Sequence, residues 1–328
     1  MSTLLNQVYQ SGQQIRIDRL RDSVHEGLVR ALQQKLCNLG LLDPRISGDR
    51  ATPFGPIRPD DGKSGPETRT GIRAFRWRTR QSQDDPTLGP SFFKHLAESE
   101  PDVLFPMQLL PAQRDTQQVV FAKRILRYMR KKGYWIARSP HCFNIVYVEG
   151  VDADGRLNTD LFNKWNDRRI VIRILPNGQP EMLVNDMATT EPGQFYTLNP
   201  FRPEGVARIA FGQYKAWRFG YHKGVQPALV QRDNVRLHRD GNRDTFRDSE
   251  DYIDVGFGFG INQHSTRFDF VPEYVNRFSA GCLVGRRYNY HLSFLHIVRH
   301  DFRFIHNPNY LFITTIINGD ELMEEEPV

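Results

Sequence analysis

A chain of 328 residues, 39% hydrophobic and 25% charged, is long enough and apolar enough to bury more than one core, which excludes a disordered or fibrous protein. A formal charge of +6 is modest for this length, so it draws the chain mildly toward anionic polymers without choosing among nucleic acid, acidic membrane and cell wall. Cys37, Cys142 and Cys282 are odd in number and lack CxxC spacing, which argues against a disulfide framework or a cysteine-based zinc knot.

In chain order, residues 1–22 read as a polar tail that turns basic, with neither a secretory apolar core nor a membrane span of about 20 apolar residues. Leu28, Leu32, Leu36 and Leu39 then recur at helical spacing, and Gly40 supplies a stop. After a Pro/Gly/Asp-rich loop comes Asp61-Gly62-Lys63-Ser64-Gly65-Pro66-Glu67-Thr68, with Ile72 and Phe75 on one side of a second helix. Periodicity alone describes a plain helical hairpin with a leucine core. The Asp-Gly-x-x-Gly-Pro-x-Thr string adds a resemblance to the small helical peptidoglycan-binding domain of many cell-wall enzymes, assigned to residues 23–100, although the intervening loop is longer than that family carries.

Pro86 to Pro111 reads as a connecting stretch, and residues 101–142 are assigned as a helical connector. Its helix, from Gln113 to Arg138, has Val119, Ala122, Leu126 and Met129 on one face and Lys123, Arg124, Arg127, Arg130, Lys131 and Lys132 on others; those charges are expected to be solvated surface. After Cys142 the period becomes strand-like. Phe143–Val148, Arg169–Ile174, Val206–Phe211, Ala216–Tyr221, Ala228–Val230, Ile253–Phe259, Phe294–Val298 and Leu311–Ile317 are predicted strands between Gly, Pro, Asn and Asp breakers. Residues 143–318 are therefore expected to form one β-rich domain, a sandwich or partly closed barrel, with 319–328 a frayed acidic tail. The fold class expected is α+β and multidomain.

The chemistry concentrates in Asn262-Gln263-His264-Ser265 and, with fourteen residues between His264 and its first serine, Ser279-Ala280-Gly281-Cys282. A cysteine beside a glycine suits nucleophilic attack, because glycine lets a carbonyl approach the backbone and successive N–H groups can face the oxyanion. An ordinary thiol is only a few per cent thiolate at neutral pH and needs a base, for which His264 is the candidate. This pair resembles the catalytic domain of the L,D-transpeptidases, whose signature is a histidine, a variable stretch and then Ser/Thr-His-Gly-Cys. Thr189-Thr190-Glu191-Pro192-Gly193-Gln194-Phe195 looks like the Thr-Pro-x-Gly-x-Phe turn of that family, and the resemblance covers residues 166–318.

The resemblance implies that Cys282 attacks the third residue's carbonyl in a tetrapeptide stem, expels terminal D-alanine and leaves a thioester, with His264 as base and then acid. It also implies N–H donors around Gly281 and Cys282, with Ser279 and Ser265 holding the histidine or loop; by their positions in the sequence, Arg286, Tyr288, His222, Gln231 and Thr190 are candidate substrate contacts. No cofactor or metal is implied. The partner is peptidoglycan, not nucleic acid. Two positions depart from the family: Ala280 replaces its second histidine, and Val284 replaces its arginine after the cysteine. With no export label read at the N-terminus, the expectation is synthesis in the cytoplasm and action on the wall after phage-type lysis, non-classical release or injection by a phage tail or secretion machine. That favours hydrolysis, as an L,D-carboxypeptidase or endopeptidase, over crosslinking, and an activated Cys282 is expected to react with alkylating reagents well below the pH of an ordinary thiol.

Three other readings compete. His264 with Asp269, or His291, His296 and His300, suggests zinc, but HExxH is missing and strand alternation would put the odd His291–His296 interval on opposite sides. Gly256-Phe257-Gly258-Phe259-Gly260 lacks the dinucleotide-binding interval. A non-catalytic wall-binding or tail-structural protein with a decayed catalytic fold has Ala280 as its support.

Overall fold

The computed structural model describes residues 2–44, 61–267 and 270–326. Its centre is a closed barrel of eight strands in the order Gln263–Ser265, Leu283–Gly285, Pro180–Thr189, Asp167–Ile174, Asn144–Glu149, Phe312–Asn318, Gly212–His222 and Gln226–Gln231. The ring closes where Gln263 pairs with Leu229. Two neighbouring pairs are parallel, Gln263–Ser265 with Leu283–Gly285 and Phe312–Asn318 with Asn144–Glu149. Closure leaves no unpaired edge, and a second sheet of Val206–Ile209, Val235–Asp240 and Tyr252–Gly256 lies beside it.

The barrel strands read as nearly continuous apolar runs because several are covered on both faces. Tyr147, Val171, Trp217, Leu229, Leu283 and Ile316 belong to the main core. Val146, Val148, Ile170, Ile172 and Ile317 face the other way, onto Phe121, Ile125, Leu126 and Met129 of the helix Gln117–Lys131. The expected connector helix is thus a packed layer of the barrel. The helices Ser2–Gln10, Glu26–Asn38, Pro66–Arg78 and Pro90–Glu98 share a separate core, in which Leu28, Leu32, Leu36, Ile72 and Phe75 are buried. Gln33 ties the Asp-Gly-x-x-Gly-Pro-x-Thr string together: its Nε2 donates to Asp61 Oδ1 at 2.9 Å and Thr68 Oγ1 at 3.0 Å, and its Oε1 accepts from Gly62 N–H. The preceding loop, 45–60, lies outside the described residues.

Several expectations are corrected. The predicted strand Phe294–Val298 is part of the helix Tyr288–Arg299, whose buried residues His291, Phe294, Leu295 and Val298 keep a helical interval that a five-residue window hides. The polar tail 1–22 contains the helix Ser2–Gln10 and the strand Ile15–Arg16, which pairs with Thr87–Leu88. The proline-rich stretch 86–111 carries the helices Pro90–Glu98 and Pro101–Leu104, because each proline occupies a first helical turn where no N–H is missed. Lys123 and Arg124 are buried rather than solvated, Lys123 against Asp115 Oδ2 at 2.7 Å and Arg124 against the Gly155 carbonyl. The acidic tail forms the helix Gly319–Glu325, capped by Asn318, and pairs Glu325 with Lys131 and Glu326 with Arg127. The basic helix thus finds acidic partners within the chain, some of them in this C-terminal helix and in Glu326 just after it.

Candidate active site

Register explains how two distant residues meet. His264 lies opposite Val284 in the parallel pair, and Cys282 stands two residues before Val284. Side chains alternate with period two along extended chain, so Cys282, immediately before the strand Leu283–Gly285, emerges on the same face as His264. The approach to the cysteine demands glycine. Gly281 has φ 116°, and a Cβ there would lie 2.5 Å from the Ala207 carbonyl oxygen. Ser279 Oγ fixes this turn by accepting from Gly281 N–H at 3.1 Å and donating to the Cys282 carbonyl at 2.8 Å. Ser279 therefore holds the Cys282 loop, not the histidine.

Sγ of Cys282 and a ring nitrogen from each of His264 and His222 lie within 4.8 Å of one another. The two imidazoles are stacked, centroids 3.9 Å apart at 14°. His264 Nδ1 is 2.9 Å from the Ser265 carbonyl, which can only accept, so this nitrogen carries the proton and Nε2 presents a lone pair. That Nε2 is buried and has no hydrogen-bond partner among the described residues. Burial first, then the neighbouring His222, Lys223 and Arg169, lowers the His264 pKa to about 3, so the ring rests neutral.

The sulfur is sheltered by Trp165, Val275, Val284 and Phe278; it is 8% exposed and donates to the Gly260 carbonyl at 3.2 Å. Burial pushes its thiol up to about 11, against smaller opposing effects of the Asn262 backbone and the Lys223 charge. The resting pair is therefore a neutral thiol beside a neutral base. This reverses the expectation of a thiol activated at low pH: the apolar wall penalises the thiolate more than its neighbours favour it.

The remaining sequence-predicted residues separate. Of the five expected substrate contacts, His222 joins the pair. Gln231 is spent on the loop before the site, accepting from Ile261 N–H and donating to the Asp233 and Gly256 carbonyls. The Ser265 hydroxyl donates to the Thr266 carbonyl and accepts from Gln226, so only the Ser265 carbonyl touches His264. Thr190 is buried on Asp167 and Glu149, inside a cluster in which Arg247 pairs with Glu149 and Arg208 with Asp240. Arg286 donates to the Pro272 carbonyl and lies against Met187, and Tyr288 opens the helix Tyr288–Arg299.

The zinc alternatives divide too. His291 is buried between Arg169 and the Pro227 carbonyl, whereas His296 and His300 contact each other at a helix end, so the three are not one site. Their assumed strand alternation falls with the strand itself. Asp269 lies outside the described residues. By composition His222, His264 and Cys282 could ligate a Zn²⁺-class ion. Imidazole lone pairs lie in the ring plane, however, and in rings stacked at 14° they run side by side instead of converging; one ring must tilt before both could bind. Asn262 had no assigned role in the sequence, yet its amide holds His222 Nδ1 at 3.0 Å, and its position just before Gln263-His264 was the only signal.

Compared with protein-family models, curated proteins and solved structures, the chain matches none.

Proposed function

We propose that the chain is a cysteine enzyme acting on peptidoglycan stem peptides by acyl transfer, in the manner of the L,D-transpeptidases. One observation carries the reading: a cysteine and a histidine far apart in sequence lie close together on one face, with the imidazole's partnerless Nε2 available as a base. In the reaction, Cys282 attacks the stem carbonyl as its proton moves to His264. Collapse expels the amine, which takes that proton back, and water or a second stem's amine resolves the thioester. Because the resting thiol is neutral, proton transfer accompanies attack instead of preceding it. The helical unit at 23–100 would hold the enzyme to the wall, a role supported by its braced Asp61-to-Thr68 string.

Mass spectrometry of purified muropeptides tests this. Wild type is expected to shorten tetrapeptide stems or join them, and Cys282→Ala to do neither; unchanged stems with wild type overturn the proposal. A second reading, a non-catalytic wall-binding protein, is favoured by the low exposure and raised pKa of Cys282. Sacculus pull-down that persists in Cys282→Ala, without turnover by either protein, would select it.

A further inference from the structure

The proposed reaction needs hydrogen-bond donors for an oxyanion, and the nucleophile's loop is short of one. Gly281 N–H, an expected donor, is directed onto Ser279 Oγ at 3.1 Å. Ala280 brings no ring to this loop. A ring nevertheless arrives from the end of the strand Gly212–His222, and its protonation can be deduced from its neighbours. Asn262 Oδ1 accepts from Gln231 N–H at 2.9 Å, which turns the amide nitrogen toward His222 Nδ1 at 3.0 Å. An amide N–H facing a ring nitrogen requires that nitrogen's lone pair, so neutral His222 carries its proton on Nε2. His264 is the reverse, protonated on Nδ1 by the Ser265 carbonyl. Two stacked imidazoles beside one sulfur thus hold opposite tautomers, one an acceptor and the other a donor.

We propose that His222 is a catalytic residue whose Nε2–H donates a hydrogen bond to the oxyanion formed when Cys282 attacks the stem carbonyl, while His264 takes the thiol proton. This rests on the function proposed above. In the step, an Sγ–C bond forms, the carbonyl π pair moves onto oxygen, and the Sγ proton passes to His264 Nε2. His222 keeps its own proton. On collapse the oxygen pair re-forms the carbonyl, the C–N bond breaks, and His264 returns the proton to the leaving amine. Burial and the Lys223 charge lower the His222 pKa to about 4, which keeps it a neutral donor through the neutral range.

Nitrogen-15 NMR of the histidine rings in the full chain at pH 7 reads the tautomers without substrate. His222 protonated on Nε2 and His264 on Nδ1 is the expected result, and a proton on His222 Nδ1 overturns the proposal. In muropeptide turnover, His222→Ala is expected to lose about 10²-fold in kcat with KM little changed, the scale of one oxyanion donor. His222→Gln, which keeps an N–H near the Nε2 position, is expected to stay within about tenfold of wild type on the same scale. Asn262→Asp serves if the alanine variant misfolds: facing a carboxylate, Nδ1 of the neutral ring takes the proton and Nε2 has none to donate, so at pH values above the ring's raised pKa turnover should fall toward the His222→Ala level. Variants that turn over at the wild-type rate overturn the donor role alone, whereas absence of turnover by wild type overturns the proposed function with it.

Discussion

At Cys282 the surroundings and the chemistry pull in opposite directions. Trp165, Val275 and Phe278 dry the sulfur, and a dry thiol resists ionisation. Iodoacetamide labelling of Cys282 in the resting protein should therefore climb with pH toward a midpoint of about 11; a plateau reached by pH 8 would show that the thiolate is stabilised after all. The sign follows from a raised pKa, since the reactive thiolate is the species that burial disfavours. Gly281 makes an independent demand at the same turn. Gly281→Ala places a methyl against the Ala207 carbonyl at φ 116° and is expected to lower stability by about 1–3 kcal/mol, read by urea denaturation. That Cys282 and His264 belong together was legible in the string Ser279-Ala280-Gly281-Cys282 and its spacing from His264, and the two side chains do lie close together. The Ser279 contacts were not legible, because a serine's partner depends on the turn's conformation.

Elements whose identity depended on their partners were the hardest to read. The C-terminal helix Gly319–Glu325 looked like a frayed acidic tail because its charges dominate its composition, but Leu322 is fully buried in the core of the helix Gln117–Lys131. Apolar burial should therefore outweigh the ion pairs there. Leu322→Ala is expected to destabilise by about 2–4 kcal/mol. Lys132→Ala, which removes half-exposed pairs with Glu321 and Glu325, should cost under about 1 kcal/mol and matter less as salt is raised. Thermal unfolding of the two variants decides between them, and an equal loss would show that the ion pairs hold the helix. The strands Gln263–Ser265 and Leu283–Gly285 went unseen for another reason. At three residues each they are too short to show a period, and only their parallel pairing makes them strands.

Across the whole molecule, the helical unit is joined to the barrel by buried charge as well as by apolar packing. Arg303 bonds Asp43 Oδ1 at 3.0 Å, Lys215 approaches its Oδ2 at 3.5 Å, and the Tyr310 hydroxyl donates to the same oxygen. Cys37 and Cys142 pack nearby with Trp135, Ala137 and Ile313, so these two cysteines lie among apolar side chains. Burial opposes ionisation of Asp43, but Arg303, Lys215 and Tyr310 outweigh it and hold its pKa below the usual carboxylate value. A depressed carboxylate contributes stability that is present above its unfolded pKa, about 4, and lost as pH falls through the lower folded value. Asp43→Asn should therefore be less stable at pH 7 and show a shallower loss toward pH 2 than wild type. Parallel acid limbs in calorimetry would contradict this account of the seam.

The sequence by itself determined the helical and strand periods, the mixed α+β class and the pairing of a cysteine with a histidine, because these follow from residue spacing and side-chain chemistry. Only the tertiary structure decided the barrel's closure, the burial of the thiol, the stacking of His222 on His264 beside Cys282, and the partners that Gln231, Thr190 and Arg286 take. Strand register and solvent exclusion arise between segments distant along the chain, and no local pattern encodes which of their side chains will meet.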